Sequence, residues 1–133
     1  MLLFAGCGQK TSLIVYDDSA PLPEISRLAH NISDDGTLSL RLDILGGSGA
    51  VAYQIDRAVI DPDCKCIGHW LRYYESSPSQ QRLGLERHIK TNTNTAYAFR
   101  LRIEDSLSRR SEWSKVIKVL KNISAPNVEV FNE

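Results

Sequence analysis

Within residues 95–107, Tyr97, Phe99, Leu101 and Ile103 fall on every second position, with Ala98, Arg100, Arg102 and Glu104 between them. A strand directs successive side chains to opposite faces, so the pattern predicts a strand with one apolar face and one charged face. After a polar turn, residues 109–119 predict a partner strand carrying Trp113, Val116 and Ile117. The two strands read as the last hairpin of an antiparallel sandwich.

The same period recurs upstream. Residues 37–45 set Leu38, Leu40, Leu42 and Ile44 against Ser39, Arg41 and Asp43, and residues 50–60 align Val51, Tyr53, Ile55 and Arg57. Residues 82–89 align Leu83, Leu85, Arg87 and Ile89. In residues 23–30 Ile25 points inward, and a bulge would bring Leu28 to the same side. Residues 69–76 are rich in aromatics (Trp70, Tyr73, Tyr74) with a less regular alternation. Turn chemistry separates these runs: Asp34-Asp35-Gly36, Asp61-Pro62-Asp63, residues 77–81 and 90–95, and Gly46-Gly47-Ser48-Gly49, which reads as a flexible loop. No helical spacing of apolar residues persists. The fold class expected is all-β, a seven-stranded antiparallel β-sandwich.

Composition narrows the function. A chain of 133 residues suits one domain with a hydrophobic core. Sixteen basic and sixteen acidic residues cancel, which removes the positive field a nucleic-acid binder needs. No run of 18 apolar residues predicts a membrane-spanning helix.

The first residues carry an address. Residues 1–7 end Phe4-Ala5-Gly6-Cys7. This resembles the end of a bacterial lipoprotein signal peptide, in which small residues precede the cysteine that is lipidated. The resemblance implies lipidation (palmitate) at Cys7, and Gly8 after it implies sorting to the outer membrane, facing the periplasm. A leader needs a basic segment and about 7–15 apolar residues, so this reading places the true start upstream. Cys7-Gly8-Gln9-Lys10 also resembles the Cys-Gly-x-Lys start of small Gram-negative lipoproteins of outer-membrane assembly. Residues 8–22 read as a tether, with Pro21 near its end and Pro23 immediately after it.

Residues 23–120 resemble a fibronectin type III domain, an immunoglobulin-like fold. The matching stretches are Pro23-Glu24-Ile25, Tyr53-Gln54-Ile55-Asp56-Arg57, Tyr97-Ala98-Phe99-Arg100-Leu101-Arg102-Ile103 and Ser111-Glu112-Trp113-Ser114. The resemblance makes Tyr97 the corner tyrosine and Trp113 a structural residue. Leu42 stands where the family has a core tryptophan, leaving a volume for Trp70 or Trp113 to fill. In the tail, residues 121–133, Val128, Val130 and Phe131 form at most a frayed edge strand.

One cluster carries candidate chemistry: Asp61-Pro62-Asp63-Cys64-Lys65-Cys66-Ile67-Gly68-His69. Cys64 and Cys66 are read as a disulfide, as free thiols, or with His69 as three ligands of a metal site. Lipoproteins with the same start resemble it here too, through a Cys-Pro-x-Cys-Pro motif. No serine-nucleophile elbow or phosphate loop is present, so no catalytic residues and no cofactor are expected. Arg100, Arg102, Arg109 and Arg110 read as a solvated sheet face. Two functions follow as expectations. The first is a lipid-anchored envelope protein, not an enzyme, whose sandwich binds another envelope protein or polysaccharide or acts as a spacer. Its contact surface would be Trp70, Tyr73 and Tyr74. The second is an envelope redox or metal-binding protein using Cys64 and Cys66.

Overall fold

The computed structural model describes residues 20–91, 94–120 and the strand at 127–131. Cys7 and most of the tether lie outside the described residues. Among the described residues eight strands are formed: β1 (Glu24–Ile32), β2 (Thr37–Leu45), β3 (Ala52–Val59), β4 (Leu71–Glu75), β5 (Leu85–Lys90), β6 (Tyr97–Glu104), β7 (Val116–Leu120) and β8 (Asn127–Phe131). They make two antiparallel sheets, ordered β1-β2-β5 and β4-β3-β6-β7-β8. The seven strands expected from alternation are all present, and β8 adds an eighth where fraying was expected. Its partner β7 offers an open edge, and all five of its residues pair there, from Leu120↔Asn127 to Val116↔Phe131.

The core lies between the sheets. Leu38, Leu40, Leu42 and Ile44 of β2 face Tyr53 and Ile55 of β3, Phe99, Leu101 and Ile103 of β6, and Ile117 and Val119 of β7. The alternation of β2, β3 and β6 thus becomes the packing surface, since strand residues two apart share a face. In β1 the register slips between Ile25 and Arg27, so Ile25 pairs with Ile44 and Leu28 with Leu42. That is the bulge that brings the two apolar positions to one side.

Two expectations about this core are corrected. Neither tryptophan belongs to the core cluster in which Leu42 is fully buried. Trp113 precedes β7 rather than lying in it, and Trp70 precedes β4; both lie outside the main core. Leu83 is 68% exposed, because β5 begins only at Leu85.

The Gly46–Gly49 stretch, read as flexible, is fixed. The Arg82 guanidinium donates to the carbonyls of Gly46, Gly47 and Gly49 at 3.2, 3.3 and 2.8 Å. The Ser48 amide donates to Asp105 at 2.9 Å, and Ser106 donates to the Ser48 carbonyl. Gly47 donates its amide to the Pro21 carbonyl at 2.8 Å, and Arg109 reaches the Ala20 carbonyl at 3.0 Å. Gly46 has φ +72°, and a Cβ there would lie 2.5 Å from the Leu22 carbonyl oxygen. Only glycine combines that conformation with so close an approach. One end of the sandwich is therefore a clamp on the incoming chain.

Candidate binding surface and disulfide turn

The outer face of the five-stranded sheet is built from the charged positions of β3 and β6. Pairing sets Asp56 opposite Arg100 and Gln54 opposite Arg102. Asp56 is buried, and its carboxylate accepts from Arg72 of β4 at 2.7 Å and from Arg100 at 3.3 Å. The bond to Asp56 holds the Arg72 guanidinium above its ordinary pKa. Arg102 donates to Gln54 at 2.8 Å, Gln54 to Glu104 at 3.2 Å, and Arg110 to Glu104 at 3.1 Å. Burial, with Arg110 and Arg72 nearby, lowers the pKa of Arg102.

Both tryptophans pack onto this row. The Arg100 guanidinium carbon lies 4.5 Å from the Trp70 ring centre and 3.9 Å from that of Trp113, and Arg102 lies 4.2 Å from Trp113. The order is Trp70, Arg100, Trp113, Arg102, a stack of flat cations and rings with favourable electrostatics at each step. Ile60, Ala98 and Val116 form a small apolar floor beside Trp70. The arginine stripe is thus a paired and stacked row rather than a solvated face. Arg109 is also engaged, on the buried Asp105 at 2.8 Å.

Trp113 is positioned by the serines around it. β7 pairs with β6 only from Tyr97 to Phe99, leaving the upper half of β6 without a strand neighbour on that side. There Ser111 and Ser114 accept from the amides of Ile103 and Leu101 through their hydroxyls, at 2.9 and 3.0 Å. Their own amides donate back to the carbonyls of the same two residues, at 2.8 and 2.7 Å. Each serine thus satisfies one strand residue completely, and Trp113 between them is held over the arginines.

Trp70, Tyr73 and Tyr74 do not form one surface, which corrects the grouping expected from sequence. Tyr74 pairs with Ile55 and Arg72 with Asp56, leaving Tyr73 as the extra residue of a bulge. Both rings therefore turn to the inner side of the sheet, Tyr74 half-buried and Tyr73 at the rim, where it stays 38% exposed. Tyr74 lies against Tyr53 at 5.8 Å under the Arg87 guanidinium at 3.5 Å. Tyr73 meets Phe99 edge-on at 6.2 Å. Arg57 sits 4.8 Å from the rings of both Tyr73 and Tyr97, closing the interior at that end. Burial raises the Tyr53 phenol above its usual range. Tyr97 packs against the core beside Phe99, at 6.1 Å.

Beyond β3 the chain makes a tight turn. Asp61 accepts from the amides of Asp63 and Cys64 at 2.7 and 3.3 Å, and its own amide donates to the Cys66 carbonyl at 2.9 Å. Cys64 and Cys66 are joined as a disulfide across Lys65, which has φ 61°. Both cysteines are exposed. With the sulfurs joined to each other they offer no thiolates, and no cluster of metal-ligating side chains occurs among the described residues. His69 is exposed beside the turn. A cavity of about 630 Å³, lined by Val59, Ile60, Pro62, Lys65, Ala96 and Leu120 among others, opens next to it.

Fold and surface together define an all-β sandwich with one braced aromatic–arginine face. No family model, curated protein or solved structure matches the chain.

Proposed function

We propose that this chain is the folded part of a lipid-anchored cell-envelope protein, whose fibronectin type III-like sandwich is a binding or spacer module. The observation that carries the binding role is the Trp70–Arg100–Trp113–Arg102 stack. Aromatic and guanidinium groups give most contact energy where they are held in place before a partner arrives. Here Asp56, Gln54, Ser111 and Ser114 hold them. The partner is another envelope protein or a polysaccharide, engaged on an open face rather than in a cleft. The type III reading is supported by Tyr97 packing at the start of β6 and by the Ser111–Ser114 closure. The fourth strand joins β3 instead of β5, which departs from the constant-type immunoglobulin order.

The anchor reading rests on Ala5-Gly6-Cys7. The test is incorporation of radiolabelled palmitate by the protein expressed from its native locus, beside a Cys7→Ser variant. Label in the native protein and none in the variant is the expected result. No label in either would remove the envelope address.

A further inference from the structure

We propose that the Cys64–Cys66 disulfide is an exchangeable redox couple, open to attack by a thiol at Cys66 with Cys64 as the leaving sulfur. The proposal is independent of the lipid anchor and of the aromatic–arginine face.

Three observations carry it. The bond closes a ring across one residue, so it restricts the unfolded chain very little and adds little to the fold. Lys65 is held at φ 61°, a left-handed conformation that an ordinary side chain resists, and opening the bond removes one of the constraints that hold it there, beside the Lys65 amide bond to the Asp61 carbonyl. Both sulfurs belong to exposed residues beyond the end of β3, where a thiol can reach them without disturbing the sheets. Exposed and constrained disulfides are the ones that exchange.

The polarity follows from one hydrogen bond. The Cys66 amide donates to the Cys64 sulfur at 3.2 Å, and among the described residues no donor reaches the Cys66 sulfur. A donor at sulfur favours the thiolate, so Cys64 is the better leaving group. A thiolate RS⁻ attacks the Cys66 sulfur, forming Cys66–S–S–R while Cys64 departs as thiolate. A second RS⁻ attacks the R sulfur of that mixed disulfide, releasing RSSR and the Cys66 thiolate. Two electrons pass from two thiols to the protein, and their two protons end on Cys64 and Cys66. The co-reactant is any accessible thiol, either a low-molecular-weight one or a cysteine of another protein.

The test uses the full chain with Cys7→Ser, so that only these two sulfurs report, and glutathione as the thiol. The protein is equilibrated in glutathione buffers of stepped ratio and alkylated, and the extent of reduction is read by mass. Early acid quenching traps the mixed disulfide, and trypsin, cutting after Lys65, separates the Cys64 peptide from the Cys66 peptide. Reduction in buffers that leave an ordinary structural disulfide oxidised is expected, with an unchanged circular dichroism spectrum. The mixed disulfide should lie on Cys66 by at least threefold. Lys65→Gly removes the left-handed penalty and should shift the couple several-fold toward the disulfide. Resistance to glutathione, loss of the sandwich on reduction, or a mixed disulfide on Cys64 would each overturn the proposal.

Discussion

Asp105 shows how a single side chain can hold distant loops together. Its side chain is fully buried, and it accepts from the amides of Ser48, Leu107 and Arg109 and from the Arg109 guanidinium. Burial pushes its pKa upward, but these donors outweigh burial and hold the carboxyl below its ordinary value. The folded protein therefore binds this proton less readily than the unfolded chain. Its contribution is fully present above the unfolded carboxylate range, near pH 4, and is lost as pH falls below it. Asp105→Asn should flatten the acid limb of urea stability measured between neutral pH and pH 3. An unchanged acid limb would mean the donors do not favour the charged form. Asp56 is a second buried carboxylate, paired with Arg72 and Arg100. Asp56→Ala leaves two guanidiniums without their carboxylate on a half-covered face, and should cost about 2 kcal/mol by chemical denaturation. Little of this was legible in the sequence. The Asp105–Arg109 spacing is visible, but the Ser48 amide is brought to Asp105 by the fold alone. Asp56 looks like any outward residue of an alternating strand until β4 and β6 set arginines on both sides.

At the scale of elements, the alternating stretches were legible because they pack against one another, face to face. Those of β2, β3 and β6 lie where the period placed them, and the β1 bulge followed from two apolar positions out of phase. The β4 bulge was not readable, because with aromatics at Tyr73 and Tyr74 either phase buries a ring. Residues 111–115 were misread for a related reason. A serine hydroxyl can stand in for a strand's carbonyl, so the ladder along β6 continues without a strand. Ser114→Ala leaves the Leu101 amide unpaired in a half-buried setting and should cost about 1–2 kcal/mol. It should also loosen Trp113 and red-shift the tryptophan emission. A stability loss without a spectral change would separate the hydrogen bond from the position of the ring.

For the whole molecule, the pairing pattern dictates slow assembly. β3 pairs with β6 from Ala52↔Glu104 to Val59↔Tyr97, and β2 pairs with β5 from Thr37↔Lys90 to Leu42↔Leu85. Such distant partners make folding wait on loop closure, so refolding should take roughly milliseconds to seconds. Stopped-flow fluorescence checks this, and a microsecond phase carrying the full amplitude would contradict it. The clamp at Ala20 and Pro21 has a separate, directional consequence. Because the chain is gripped by Arg109 and Gly47 as it arrives, whatever precedes it leaves from a set point on one pole of the domain. The Cys64–Cys66 turn follows the far end of β3, about 25 Å away at roughly 3.3 Å per residue. A support fixed to the start of the chain would thus hold the sulfurs at the outer pole, turned away from it. The domain would then act as an arm that fixes where, and from which side, its chemistry can be met.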